Sequence, residues 1–203
     1  MAHYFENDKN LKSEEQLKKV KIKNQELVFY TDNGVFSKKG LDFGTRSLLE
    51  VLPLSQMKGK VLDFGCGYGP IGIYIAKNIS GEVHMIDVNR RSLELARKNA
   101  YLNHANVNIY ESNIYDNVND KFDYIISNPP IRVGKKILYE ILFEAKNYLN
   151  ETGELWIVIN KSQGAKSTIK DLEKGYKVEL VNKNKGFYII KCNKILWFID
   201  LLK

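Results

Sequence analysis

The stretch from Lys60 to Gly72, which reads KVLDFGCGYGPIG, constrains the fold of this chain more than any other part. Val61, Leu62 and Phe64 form the short apolar run of a buried parallel strand, and apolar residues recur at helical spacing from Ile71 onward. The glycines between these patterns supply backbone that can adopt positive φ and that a ligand can approach closely. The stretch therefore predicts a strand, a glycine turn and a helix.

A strand, a glycine turn and a helix occur in two large cofactor-binding classes, and the glycine spacing separates them. A dinucleotide-binding turn needs G-x-G-x-x-G, and counting from Gly65 and Gly67 its last position is Pro70, which argues against a nicotinamide oxidoreductase. The run DFGCGYG, which begins at Asp63, instead resembles the first motif of class I S-adenosylmethionine-dependent methyltransferases. The resemblance implies that this run holds the amino-acid end of the cofactor, through Asp63, Gly65, Cys66 and Gly67.

Composition narrows the classes of protein further. The 203 residues, 44% of them hydrophobic, are enough for one well-packed domain and a small extension. The formal net charge of +7 favours a partner that carries phosphate groups. Cys66 and Cys192 lie far apart and outside any C-x-x-C pattern, so we expect neither a metal site nor a disulfide framework. The polar, charged amino terminus predicts a cytoplasmic location and no membrane segment.

Polar residues follow the next two predicted strands. The strand at residues 83–86 ends at Asp87, about twenty residues after the glycines, where a carboxylate can accept hydrogen bonds from both hydroxyls of a ribose. Asp87 is therefore a predicted cofactor-binding residue. After the third strand, at residues 107–110, the methyltransferase family usually has an aspartate that recognises the adenine of the cofactor. This sequence has Asn113 there, so the resemblance implies that Asn113, or Asp116 in its place, contacts the adenine.

The sequence Asn128-Pro129-Pro130 follows a fourth apolar strand, at residues 122–126. Proline cannot donate to a sheet ladder, so the pair ends the strand and stiffens the turn. In an open parallel sheet the ligand crevice lies beyond the carboxyl ends of the strands, which places this turn beside the glycine turn. Asn-Pro-Pro resembles the signature of methyltransferases that modify exocyclic or amide nitrogens. The resemblance implies that Asn128, Pro129 and Pro130 are catalytic and that Asn128 also borders the cofactor.

Two longer segments narrow the resemblance. TDNGVFS, at residues 31–37, and NPPIRVGKK, at residues 128–136, resemble the single-domain relatives of the small-subunit ribosomal RNA guanine-N2 methyltransferase, the C family. This likeness runs from about Phe29 to Cys192. It implies a substrate of ribosomal RNA or the small ribosomal subunit, with basic side chains near the active turn that bind phosphate. The predicted substrate-binding residues are Phe36, Ile131, Arg132, Lys135 and Lys161.

The elements together predict an α/β fold with a Rossmann-like, mostly parallel sheet, helices on both faces and a C-terminal antiparallel hairpin. We expect a polar arm or surface helix over residues 1–24, a methyltransferase domain over residues 25–194 and an apolar tail over residues 195–203. Within the domain, the apolar residues 27–30 and 35–36 predict a small hairpin ahead of the cofactor turn. The tail is far shorter than the roughly 20 residues that span a bilayer.

Three functions of different classes remain open. The favoured one is an enzyme that methylates the exocyclic N2 of a guanine in ribosomal RNA. The second applies the same chemistry to a glutamine amide of a protein, which the net charge of +7 disfavours. The third is a relative that has lost catalysis and only binds RNA, which the intact Asp63, Asp87 and Asn128 disfavour.

Overall fold

The computed structural model describes residues 12–130 and 133–195. Its strands are β1 (Gln16–Ile22), β2 (Gln25–Thr31), β3 (Lys60–Phe64), β4 (Glu82–Asp87), β5 (Asn108–Glu111), β6 (Phe122–Ser127), β7 (Leu149–Asn160), β8 (Tyr176–Asn184) and β9 (Phe187–Lys194). Its helices are α1 (Phe43–Val51), α2 (Pro70–Ala76), α3 (Arg90–Leu102), α4 (Lys135–Tyr148) and α5 (Ala165–Leu172), with a 3₁₀ turn at Lys161–Gln163. Residues 1–11 of the predicted arm, the predicted substrate contacts Ile131 and Arg132, and residues 196–203 of the tail lie outside the described residues.

The main sheet has seven strands in the order β5-β4-β3-β6-β7-β9-β8. The first five run parallel, and β9 pairs antiparallel with both β7 and β8. From β3 the chain proceeds to β4 and β5 on one side and then returns to β6 on the other. Ligands bind at such a switch point, beyond the carboxyl ends of the strands. The predicted α/β fold is confirmed, and the switch point lies between β3 and β6.

Side chains of β3 alternate between two hydrophobic clusters, one on each face of the sheet. Val61 packs with apolar residues of α1, α2 and α3, whereas Leu62 packs with those of α4 and α5. This alternation follows from the two-residue period of a strand. Helices therefore cover both faces, as the sequence predicts. Among the described residues, no helix has the length and apolar character that crossing a bilayer requires.

The N-terminal region differs from the sequence prediction. Gln16–Ile22, predicted as part of an arm or surface helix, is a strand that pairs antiparallel with β2. Residues 35–36, predicted as the partner of β2, lie in a turn instead. Val20 and Ile22 point into the core while Lys19 and Lys21 face solvent, which is the two-residue period of a strand. The lysines make this period hard to recognise in the sequence. The predicted boundary after residue 24 falls at the hairpin turn.

Asn99 of α3 and Asn103, which caps the carboxyl end of that helix, join this hairpin to the main domain. The amide of Asn103 accepts from the backbone N–H of Val28 (3.1 Å) and donates to its C=O (2.7 Å). The amide of Asn99 does the same with Tyr30, at 2.7 and 2.9 Å, and also donates to the C=O of Tyr68 in the glycine turn (2.8 Å). The buried side chain of Asn99 therefore bonds both the hairpin and the glycine turn.

Candidate active site

The glycine turn connects β3 to α2 at the carboxyl edge of the sheet. Gly65, Gly67 and Gly69 have φ of 70°, 56° and 100°, values that favour glycine. A Cβ added at Gly65 or Gly67 would meet no atom within 4 Å, so the space above these two residues is open. The backbone N–H of Cys66 donates to the C=O of Ile86 (2.8 Å), which ties the turn to β4.

Asp63 lies at the end of β3 with its carboxylate fully buried. Its Oδ2 accepts from the backbone N–H of Gly72 (2.8 Å), but Oδ1 has no hydrogen-bond partner among the described residues. Burial raises the pKa of this carboxyl from an ordinary 3.8 to about 8; the bond from Gly72 opposes the shift and the charge of Asp87 adds to it. A buried acceptor without a donor suits a cationic group of a ligand, directly or through one water.

Gly72 contacts the predicted cofactor residue Asp63, although it was given no role from the sequence. A Cβ there would lie 2.5 Å from Cγ of Met85 and 3.1 Å from Oδ2 of Asp63. Only glycine at this position lets the start of α2 pack closely against Met85 of β4. This close packing allows the N–H of Gly72 to reach Asp63 of β3. The signal was a fourth glycine after the turn, three residues beyond Gly69.

Asp87 ends β4 and faces the glycine turn. Its Oδ2 accepts from the N–H of Gly67 and its Oδ1 from the N–H of Asn89, both at 2.8 Å. Burial raises the pKa of this carboxyl, and these backbone bonds oppose the rise. The backbone N–H of Val88 also bonds this carboxylate, so three of its four lone-pair sites are used and one can still accept from a ribose hydroxyl.

Asn113 and Asp116, the two predicted adenine contacts, are bonded to each other. The Asn113 amide nitrogen donates to Oδ2 of Asp116 (3.1 Å), in the loop that follows β5. The amide oxygen of Asn113 then faces away from the carboxylate and can accept from an adenine amino group.

Asn128 follows β6 and contacts the start of α1. Its Nδ2 donates to Oδ2 of Asp42 and to Oγ1 of Thr45, both at 3.0 Å. Asp42 is also the N-cap of α1, because its Oδ2 accepts from the backbone N–H of Thr45 (3.0 Å). The contact of Asp42 with Asn128 was missed, since 86 residues separate the two.

The Asn-Pro-Pro turn is anchored to the neighbouring strand. Ser127 donates from Oγ to the C=O of Phe64 (2.8 Å), which links the end of β6 to the end of β3. Pro129 is buried, whereas Asn128 and Pro130 are half-buried. Ser127 was given no role from the sequence, although it directly precedes Asn128.

The predicted substrate contacts in the described residues lie on three separate elements. Phe36 is exposed in a loop whose Gly34 C=O accepts from the Asn89 amide (3.3 Å), close to Asp87. Lys135 begins α4, with its ammonium 3.7 Å from Asp171. Lys161 is exposed after β7. The fold thus brings Asp63, the glycines, Asp87 and Asn128 to adjacent strand ends, and the lysines only to the surrounding edge.

The described ranges contain no cluster of three or more His, Cys, Asp or Glu that could hold a metal.

A seven-stranded sheet with this strand order and an antiparallel final pair defines the class I methyltransferase fold, whose members use S-adenosylmethionine as methyl donor. The family model for the methyltransferase small domain matches residues 26–191. The chain therefore belongs to the methyltransferase small domain family.

Relatives and solved structures agree with this assignment. The uncharacterized protein YbxB of Bacillus subtilis is 44% identical over 198 residues, which cover 95% of this chain and 98% of that protein. Ribosomal RNA small subunit methyltransferase C of Haemophilus influenzae is 41% identical over 141 residues, covering 67% of this chain but only 42% of that protein.

Among solved structures, the T. thermophilus 16S rRNA N2 methyltransferase RsmC, in complex with AdoMet and guanosine, matches with a TM-score of 0.79 and 23% identity. The match covers 89% of this chain and 51% of that one. A ribosomal protein L11 methylase from Lactobacillus delbrueckii matches with a TM-score of 0.68 and 23% identity, covering 81% and 83%. At these identities the two matches establish the fold.

Proposed function

We propose that this protein transfers a methyl group from S-adenosylmethionine to the exocyclic N2 of a guanine in ribosomal RNA, free or in the small subunit, in the cytoplasm. The observation that carries the proposal is the orientation of the Asn128 amide. Its nitrogen is bonded to Asp42 and Thr45, so its oxygen faces the other way, at a strand end next to the glycine turn.

The site fits the cofactor. Asp63 has an unsatisfied acceptor for the ammonium of the amino-acid end, and the open space above Gly65 and Gly67 admits the chain that bears it. Asp87 retains acceptor capacity for a ribose hydroxyl, and Asn113 or Asp116 can accept from the adenine amino group. When bound, S-adenosylmethionine supplies an electrophilic methyl group on a sulfonium.

Orientation carries most of the catalysis in this proposal. The lone pair of an exocyclic guanine amine is delocalised into the ring, so the amine is a weak nucleophile. If Oδ1 of Asn128 and the C=O of Pro129 each accept one N–H, the nitrogen is held with its lone pair toward the methyl group. As the N–C bond forms and the S–C bond breaks, the thioether leaves with the bonding electrons. The nitrogen then loses its extra proton to water.

Charge and kinship support an RNA substrate. The net charge of +7 favours phosphate groups, and exposed Lys135 and Lys161 lie at the carboxyl edge of the sheet. The H. influenzae relative is a ribosomal RNA methyltransferase by name, and the T. thermophilus structure contains guanosine. This chain spans about half the length of those proteins or less, so substrate and partner remain part of the proposal.

The decisive experiment offers the purified protein labelled S-adenosylmethionine with unmodified ribosomal RNA, assembled small subunits and a protein extract in parallel. Label recovered as N2-methylguanosine would support the proposal, and the preferred particle would identify the natural substrate. Label in glutamine would replace it with protein amide methylation. Cofactor binding without any transfer would favour the non-catalytic RNA-binding alternative, and absence of cofactor binding would refute the methyltransferase activity. Asn128→Ala is the matched inactive control.

A further inference from the structure

Asp42 connects the cap of α1 to the predicted catalytic amide. One oxygen, Oδ2, accepts both from the backbone N–H of Thr45 and from Nδ2 of Asn128, at 3.0 Å each. The second hydrogen on Nδ2 is donated to Oγ1 of Thr45, also at 3.0 Å. Both hydrogens of the Asn128 amide are therefore used on the α1 side.

A primary amide can occupy its site in two orientations that exchange its oxygen and its NH₂ group. The Thr45 hydroxyl can donate or accept, so it tolerates either orientation. The Asp42 carboxylate can only accept, and the reversed amide would set two oxygens against each other. Asp42 is thus the group that decides which way the Asn128 amide faces.

We propose that Asp42 is a positioning residue that fixes the Asn128 amide with its oxygen toward the incoming amine and strengthens that oxygen as an acceptor. The inference rests on the proposed function, because it assigns Asn128 the task of binding the amine. A charged acceptor on Nδ2 polarises the amide and increases electron density on Oδ1, since hydrogen bonds in a chain reinforce one another.

Two substitutions at position 42 separate three effects of Asp42: the orientation of the Asn128 amide, the negative charge beside it and the cap of α1. Asp42→Ser keeps a good helix cap, but its hydroxyl is too short to reach Asn128. We expect kcat to fall by about 100-fold, with cofactor affinity and melting temperature close to those of the wild type. Asp42→Asn can keep an oxygen in the place of Oδ2, which preserves the orientation but removes the charge. We expect this variant to lose only about tenfold in kcat.

Asp123 provides a matched control at the opposite end of the sheet. It too accepts from a backbone N–H, that of Lys60, and from an asparagine amide, that of Asn150, both at 2.8 Å. Asp123→Ser removes the same kind of contacts far from the site. We expect it to lower the melting temperature and to leave kcat unchanged.

An NMR measurement keeps the test independent of turnover. The side-chain amide resonances of Asn128, identified by their absence from the Asn128→Ala spectrum, should show slow hydrogen exchange in the wild type and fast exchange in Asp42→Ser. Unchanged exchange, or wild-type kcat in Asp42→Ser, would overturn the inference. A loss of cofactor affinity that accounts for the whole loss of turnover would also overturn it. A wild-type protein that binds no cofactor would instead refute the proposed function.

Discussion

Replacing Asp63 with asparagine should stabilise the unliganded protein while weakening its cofactor site. Burial raises the pKa of the Asp63 carboxyl from 3.8 to about 8, so between these values the folded state holds a proton that the unfolded state releases. The free energy of unfolding therefore falls as pH rises through this window. About three pKa units lie between 3.8 and neutral pH, and at 1.36 kcal/mol per unit the cost at pH 7 is about 4 kcal/mol.

Asparagine isolates this ionisation cost because it has the same shape. Its oxygen can accept from Gly72, and its NH₂ group occupies the place of the unpaired Oδ1, which is protonated or unsatisfied in the wild type. We expect urea unfolding to show Asp63→Asn about 4 kcal/mol more stable than the wild type at pH 7, with the difference disappearing near pH 4. Parallel stabilities across this pH range would mean that the carboxyl ionises normally and would refute the reasoning.

Four further predictions test the rest of the site. Asn128→Ala should lower single-turnover methyl transfer by about 100-fold without changing cofactor affinity, and equal losses in both would contradict its role. Asp87→Ala should raise the cofactor Kd by about 10- to 100-fold in titration calorimetry, because hydrogen bonds to a charged acceptor are lost; an unchanged Kd would remove the ribose assignment. Gly72→Ala should cost about 1–3 kcal/mol of stability, since its Cβ would lie 2.5 Å from Met85. Gly65→Ala would place its Cβ in the open space above the turn, where the cofactor is proposed to bind, and its φ of +70° adds a smaller backbone strain. We therefore expect cofactor affinity to fall more than stability, and a larger loss of stability than of affinity would contradict this.

The sequence predicted the parts of the fold whose signal is contiguous. β3, the glycine turn and α2 lie within one short run, and their strand and helix periods are unbroken. Asp87 ends one apolar strand and Asn128 directly follows another. The rule that ligands bind beyond the carboxyl ends of parallel strands then places them at one crevice without any knowledge of the contacts between them.

The parts that were missed depend on contacts between distant segments. Asp42 has the sequence signal of a helix cap, and only the folded chain brings its carboxylate to Asn128. The strand β1 was missed because four of its seven residues are polar, three lysines and one glutamine. This composition is more typical of a surface segment. Its burial depends on packing of Val20 and Ile22 against the domain, which local patterns do not contain.

The pair formed by Asn99 of α3 and Asn103, the cap of that helix, has a consequence for aggregation of the chain. Residues four apart on a helix are separated by about 6 Å along its axis, and residues two apart on a strand by nearly 7 Å. Asn99 and Asn103 therefore match the spacing of Val28 and Tyr30, and their amides take the place of a third strand beside β2. A two-stranded sheet normally presents open edges that can recruit a strand from another molecule. At Val28 and Tyr30 the recruiting groups are already bonded to asparagine side chains, so the β2 edge of the hairpin resists edge-to-edge aggregation without needing a further strand.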